Sequence, residues 1–217
     1  MRIPIVTAEE EIHTQKETIP EKVCFTYAGQ PGAKDYLQVI LYAFGRLEPE
    51  LLRNVRLRIV GCTEEQLVSA GIPVQLLRQL KDNLKIYGRI SQKEVVRLLR
   101  TTDFTMMMRS EQQRYAKAGF PTKVVESLAN STPIICNITS DLALYLEDGK
   151  NSLIVPECSV DSVAQVLRRA IQMSFQERQK MQKEACRTAR ENFLMQGYLE
   201  PLKQLLQEKQ LCNAGQL

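Results

Sequence analysis

The sequence has no tryptophan, one histidine and few aromatic residues, 6% in all. Surfaces for single-stranded nucleic acid combine stacked aromatics with a basic groove, and neither feature is prominent. The formal charge is only +4, and the basic residues are interleaved with acids except at Arg53–Arg58 and Arg109–Lys117. Nucleic acid is therefore not expected as a partner, whereas a local anion site is. Long apolar runs are missing as well. The longest, Val39–Phe44, falls far short of the roughly 20 residues of a membrane-spanning helix. The start, Met1-Arg2-Ile3-Pro4 with Glu9-Glu10-Glu11 soon after, lacks the form of a signal peptide.

Metal and thiol chemistry are short of ligands too. The cysteines at 24, 62, 136, 158, 186 and 212 form no C-x-x-C pair. Cys24, Cys62 and Cys136 lie in or beside apolar runs, as buried, reduced thiols do in a cytosolic protein. A zinc site needs clustered ligands, and His13 has no cysteine near it. A Ser-His or Cys-His pair would have to use the same histidine, in a polar stretch. Neither a metal nor a cofactor is expected.

What is present is a long, regular alternation. The 217 residues, 44% hydrophobic and 25% charged, suffice for one large domain or two small ones. Residues 1–21 are polar and aperiodic and read as a leader or the end of an interdomain linker. From Lys22 to about residue 175, apolar runs alternate with amphipathic stretches. The runs Val23–Tyr27, Val55–Val60, Leu84–Tyr87, Asp103–Met108, Pro133–Cys136 and Ser152–Val155 predict six strands. Leu37, Ile40, Leu41 and Phe44 form a helical stripe. Ser91 stands three residues before Glu94, a capping box opening a helix over Gln92–Arg100. Pro121 suits a first helical position, and Ser140-Asp141 starts a short helix. Residues 176–217 complete the domain with helices over Gln176–Phe193 and Leu199–Gln210, separated near Gly197 and Pro201. The fold expected is α/β: a doubly wound, six-stranded parallel sheet of Rossmann-like type with extra C-terminal helices. Its ligand should lie at the carboxyl ends of the strands, at the switch point beside the first.

Three loops end there. The first, Tyr27-Ala28-Gly29-Gln30-Pro31-Gly32-Ala33-Lys34-Asp35, follows a strand and opens a helix, as a phosphate cradle does. It is neither G-x-G-x-x-G nor a Walker loop, and a tight strand-to-helix turn is the competing reading. No acid closes the second strand, which ends Ile59-Val60-Gly61-Cys62; this disfavours a nicotinamide dinucleotide. The second loop runs from Arg109 to Gly119, followed by Phe120-Pro121-Thr122-Lys123. The free amides of Thr122 and Lys123 at a helix start offer another anion site. Glu126, one turn on among Val124, Val125 and Leu128, suits vicinal ribose hydroxyls, or else is simply exposed. The third, Tyr87-Gly88-Arg89-Ile90-Ser91, permits backbone approach to a flat ring, and equally reads as a turn with an N-cap.

Together these loops resemble the C-terminal, donor-binding domain of family 4 glycosyltransferases of the GT-B fold. The resemblance covers nearly everything from Val23 to about Gln210. It is carried by Tyr27-Ala28-Gly29 with Lys34, Leu57–Gly61, Tyr87–Ser91, Thr102-Asp103, Gly119–Ala129, Thr132-Pro133-Ile134-Ile135 and Glu147–Val155. It implies that Gly29, Gln30 and Lys34 meet the pyrophosphate of a nucleotide sugar. Lys34 then stabilises the leaving group. The helix start at Gly119, Phe120, Pro121, Thr122 and Lys123 adds donors, Glu126 holds the ribose, and Gly88, Arg89 and Ile90 contact the base. Lysine and helix amides make a metal unnecessary. Two positions depart from the family pattern. The family has two glutamates eight apart, where this chain has Ala118 and Glu126, and often an arginine where this chain has Gln30. Family enzymes also have a second Rossmann-like domain for the acceptor, which this chain lacks. The implied function is retaining hexosyl transfer from a nucleoside-diphosphate sugar to a glycan or lipid-linked acceptor in surface polysaccharide synthesis. This fragment alone should then be inactive. A nucleotide-sugar epimerase of the same fold and a non-catalytic nucleotide-binding module are the alternatives. The expected location is the cytoplasm, with a membrane-peripheral position open for the full enzyme. Leu199, Leu202, Leu205 and Leu206 form an apolar face suited to weak self-association.

Overall fold

The computed structural model of the chain describes residues 4–30, 35–110, 112–114, 116 and 119–204. Lys34, Gly32, Ala118, Leu205 and Leu206 lie outside these. The described strands are β1 (Val23–Ala28), β2 (Val55–Val60), β3 (Leu84–Ile86), β4 (Phe104–Met107), β5 (Ile134–Cys136) and β6 (Ser152–Ile154). The helices are α1 (Leu37–Gly45), α2 (Pro49–Leu52), α3 (Glu64–Ser69), α4 (Val74–Leu80), α5 (Gln92–Arg100), α6 (Thr122–Ala129), α7 (Val160–Gln172) and α8 (Phe175–Asn192). The six strands form one parallel sheet in the order β3-β2-β1-β4-β5-β6. The order reverses between β1 and β4. This is the doubly wound architecture that the alternation predicts, with the crevice where the two halves part.

The apolar runs explain the layers. All four strand residues of β4 and all three of β5 are buried, as strands covered on both faces require. Phe25 on β1 meets Phe44 of α1 edge-on at 5.3 Å and stacks on Phe104 of β4 at 5.8 Å. Helix α1 packs beside α4 and α7, and α6 beside α8. The capping box forms as predicted: the Ser91 hydroxyl accepts from the Glu94 amide at 3.3 Å, and the Glu94 carboxylate accepts from the Ser91 amide at 2.9 Å. Thr63 with Gln66 and Ser174 with Glu177 make further boxes at the starts of α3 and α8.

Three details differ from the sequence reading. Pro121 is the N-cap rather than the first helical residue, so α6 begins at Thr122. The chain is helical over 196–204 and runs through Gly197 and Pro201. Tertiary anchoring outweighs these two breakers: the Met195 amide donates to Thr7 O at 3.1 Å, and the Tyr198 hydroxyl to Asn192 O at 2.7 Å. On that helix Leu199 is exposed and Leu202 half-buried. Finally, the polar N-terminal segment is tied into the domain. The Thr7 amide donates to Phe193 O, that of His13 to Ala129 O at 2.7 Å, and that of Glu17 to Arg100 O at 2.8 Å.

Candidate functional site

Glycines let three loops converge at the carboxyl ends of β1, β2 and β3. The Gly29 amide donates to Val60 O at 2.8 Å, and that of Gly61 to Gly88 O at 2.6 Å. Gly61 has φ 104°, and a Cβ there would meet the Gly29 carbonyl oxygen at 2.7 Å. Any side chain at 61 would push the loop after β1 out of place. A Cβ at Gly29 would collide with the Lys123 ammonium. The glycine thus makes room for a cation, which the sequence did not reveal.

That cation belongs to a small network across the switch point. Lys123, in the first turn of α6, pairs with Asp35 and sits 4.5 Å from the centre of the Tyr27 ring. Arg109, just beyond β4, donates from Nε to Asp35 Oδ1 at 3.0 Å. Burial pushes the Asp35 carboxyl up, but Lys123 and then Arg109 outweigh it and hold the group below its ordinary value. Burial raises the Tyr27 phenol, and Asp35 adds to the shift. The phenol therefore stays neutral and donates to Gln30 O at 3.2 Å. The buried amide of Asn137 fixes the Arg109 backbone from both sides, accepting from its N–H at 3.0 Å and donating to its carbonyl at 2.7 Å. The Tyr36 amide donates to Met108 O at 2.8 Å and ties the loop after β1 to the end of β4.

The other residues singled out from sequence fall around this network. Gln30 and Arg89 meet side chain to side chain, joining the loops after β1 and β3. Gly88 has φ 62°, the left-handed backbone a tight turn needs. Ile90 is half-buried beside it. Helix α6 has no side-chain cap, and among the described residues no group accepts from the Thr122 or Lys123 amides. Glu126 is exposed one turn beyond Lys123. The atoms around its carboxyl still raise it above its ordinary value, with Lys123 acting against the shift and Glu11 adding to it. Among the described residues its carboxylate has no hydrogen-bond partner, which leaves it open to a ligand's hydroxyls. Phe120 is anchored in an aromatic cluster with Tyr145 at 5.4 Å and Phe193 at 5.7 Å. It therefore positions the loop Gly119–Pro121 from behind.

Sequence reasoning missed Asp35, Arg109 and Tyr27 as members of the site. Arg109 opens one of the two basic concentrations, which was the available signal. Asp35 pairs with residues 74 and 88 positions away, which no local pattern encodes. Among the described residues no group of three or more His, Cys, Asp or Glu is placed to hold a metal ion, and no helix is long and apolar enough to cross a membrane. The arrangement can hold a polyanion between Lys123, Arg109 and the start of α6, with a carboxylate one turn away.

The family described as glycosyl transferases group 1 matches residues 8–188 of this chain. No curated protein matches it. Among solved structures, a sucrose-phosphate synthase from Thermosynechococcus elongatus is similar at 15% identity and TM-score 0.76, covering 98% of this chain and 52% of its own. A glycosyltransferase from Rickettsia africae is similar at 14% identity and TM-score 0.74, covering 96% and 56%. HepE of Anabaena, solved in complex with UDP and glucose, is similar at 13% identity and TM-score 0.69, covering 93% and 55%. At such identities the likeness is one of fold. The chain spans about half the length of each.

Proposed function

The chain belongs to the glycosyl transferases group 1 family, and from that premise we propose that its switch-point cleft binds the nucleoside diphosphate of a sugar donor. The observation that carries this is the convergence of Lys123, Arg109 and the uncapped start of α6 on one crevice, with Glu126 one turn further. The two cations and the helix amides meet the diphosphate; Lys34, which the family resemblance assigns to the same group, lies outside the described residues. Glu126 accepts from the ribose hydroxyls, and Gly88-Arg89-Ile90 flanks the base. No metal is required in this scheme, because the anion is matched by cations and amides.

The same donors favour transfer. As the glycosidic bond to the diphosphate breaks, negative charge grows on the leaving oxygen, and fixed positive groups beside it lower the barrier. We extend the proposal to retaining hexosyl transfer to a glycan or lipid-linked acceptor in surface polysaccharide synthesis. The acceptor is supplied by a second domain of the whole enzyme. Holding both substrates in reactive geometry is worth roughly 7–11 kcal/mol. The 217-residue chain on its own is therefore expected to bind donor without transferring sugar.

Calorimetric titration with UDP, GDP, ADP and the matching nucleosides tests the reading. At least one diphosphate should bind, and its nucleoside more weakly. Glu126→Ala should weaken it by about 1.5–3 kcal/mol, roughly ten- to a hundredfold, without changing the melting temperature. Absence of heat with all three diphosphates, or an unaltered affinity in Glu126→Ala, removes the donor-site assignment.

A further inference from the structure

The second basic concentration, Arg53–Arg58, lies at the other end of the sheet and plays no part in the donor cleft. Parallel register places Arg56 opposite Cys24 and Arg58 opposite Thr26. Side chains alternate along a strand, so all four share one face. Arg58 is 5% exposed. Its Nη1 donates to Leu98 O at 3.2 Å and to Thr101 Oγ1 at 2.7 Å. Its Nε is buried without an acceptor. Among the described residues no group accepts from Nη2, and no carboxylate comes within ion-pair distance of the guanidinium.

The fold can satisfy a buried arginine, and does so nearby. Arg178, 3% exposed, donates from Nε to Asp103 Oδ1 at 3.0 Å and caps the carbonyls of Met173 and Pro20 at 2.9 and 3.2 Å. Both oxygens of Asp103 are engaged, since the other accepts from the Cys24 amide at 2.9 Å. The Lys16 ammonium, also close by, is held by neutral acceptors: Leu99 O, Thr102 O and Thr132 Oγ1, at 2.6–2.8 Å. The carboxylate at this end is thus paired with Arg178, and among the described residues none is paired with Arg58. A cavity of about 110 Å³ opens there; besides Ile19 and Cys24 it is lined by Arg58, Arg56, Lys22, Thr101 and one acid, Glu17. A buried cation lacking a counter-charge is costly, and an anion in the cavity supplies one.

We propose that this cavity binds a small tetrahedral oxyanion of the phosphate class, held through the unbonded Nη2 of Arg58 with Arg56 and Lys22 closing over it. Arginine's planar fork suits such an ion. The volume admits one phosphate group and excludes a nucleotide. The site is distinct from the donor cleft: Cys24 and Gly29 are roughly 16 Å apart along β1 at the usual strand rise. The phosphate group can arrive as free inorganic phosphate or on the end of a larger phosphomonoester.

Thermal-shift and calorimetric titrations at constant ionic strength separate the possibilities, with inorganic phosphate, glycerol phosphate and chloride as probes. Because phosphate can also enter the donor cleft, each titration is run in Lys123→Ala and in the double variant Lys22→Gln/Arg56→Gln, whose altered side chains are solvent-facing enough to leave the fold intact. The expected result is saturable stabilisation by phosphate that persists in Lys123→Ala and weakens at least tenfold in the double variant, while nucleoside diphosphate affinity in the double variant is unchanged. Equal response to glycerol phosphate assigns the site to phosphomonoesters, and response to phosphate alone assigns it to the free ion. A response no greater than chloride's, or one lost in Lys123→Ala and retained in the double variant, overturns the proposal. Nucleotide binding is read separately, so failure here leaves the donor assignment standing or falling on its own titration.

Discussion

The two ends of the sheet use the same side chains to opposite effect. At the carboxyl ends, Lys123 and Arg109 share Asp35 while keeping 24% and 13% of their side chains exposed. At the amino ends, Arg178 and Asp103 are paired at 3% and 1% exposure. Backbone carbonyls and an amide fill their remaining valences. A cation near the surface with a single acidic neighbour can exchange that neighbour for a ligand's phosphate. A sealed cation whose guanidinium nitrogens are each already bonded cannot, and serves to lock segments together. Arg178 joins α8, β4 and the N-terminal segment in this way. Exposure and leftover hydrogen-bonding capacity, rather than residue type, distinguish binding from structure here.

That contrast can be broken most forcefully at the sealed end. Asp103→Asn leaves the Arg178 guanidinium buried without a counter-charge and should cost about 3–5 kcal/mol in urea denaturation. The nucleotide affinity of the folded fraction should be unchanged; a parallel loss of affinity would mean that the two ends are not separable. Next is Lys16, whose ammonium burial depresses to about pH 7 from an ordinary 10.5. Between these values the unfolded chain binds a proton that the folded chain does not, so stability should rise with pH in that window, by about 1.4 kcal/mol per unit at most. Comparing denaturation curves of the wild type and Lys16→Met from pH 7 to 10 isolates this slope, and parallel curves would argue against it.

The smallest expected effect sharpens the comparison at the open end. Asp35 neutralises part of the charge that a diphosphate needs. Asp35→Asn should therefore tighten diphosphate binding by about 1 kcal/mol, roughly fivefold, as expected for a unit charge acting through water. A weaker affinity would instead make Asp35 the residue that aims Lys123. In the wild type the carboxyl is held below its ordinary value of 3.8. Its ion pairs thus stabilise the fold fully above that pH and are lost only as acidity carries it through the lower folded value.

Much of this was legible in the sequence. Apolar runs separated by helical stripes gave six strands in a doubly wound order, and the turn before Gln92–Arg100 was marked by Ser91 and Glu94. The strand–loop–helix order puts the loops that carry Gly29, Gly88, Lys123 and Glu126 at the carboxyl ends of the strands, while a plain turn at the glycines and an exposed Glu126 remain equally readable from it. What stayed hidden has a common cause. Residues 1–21 read as an aperiodic polar leader or linker end, yet Lys16 bonds to residues 83 to 116 positions away. Asp35 likewise finds its partners across the switch point. Polar pairs formed at long range leave no periodic trace, whereas buried apolar faces must repeat with the element that carries them.

On the proposed reading the carboxyl ends of β1, β3 and β4 bind the nucleotide, while the Arg178–Asp103 pair at the amino ends holds the domain together. Amide hydrogen exchange with and without saturating nucleoside diphosphate tests it most directly. Slowed exchange is expected at Gly29, Gln30, Arg89, Ile90, Thr122 and Lys123, with Cys24 and Asp103 unchanged. Protection confined to the amino ends of the strands, or none at Thr122 and Lys123 at saturation, would contradict it.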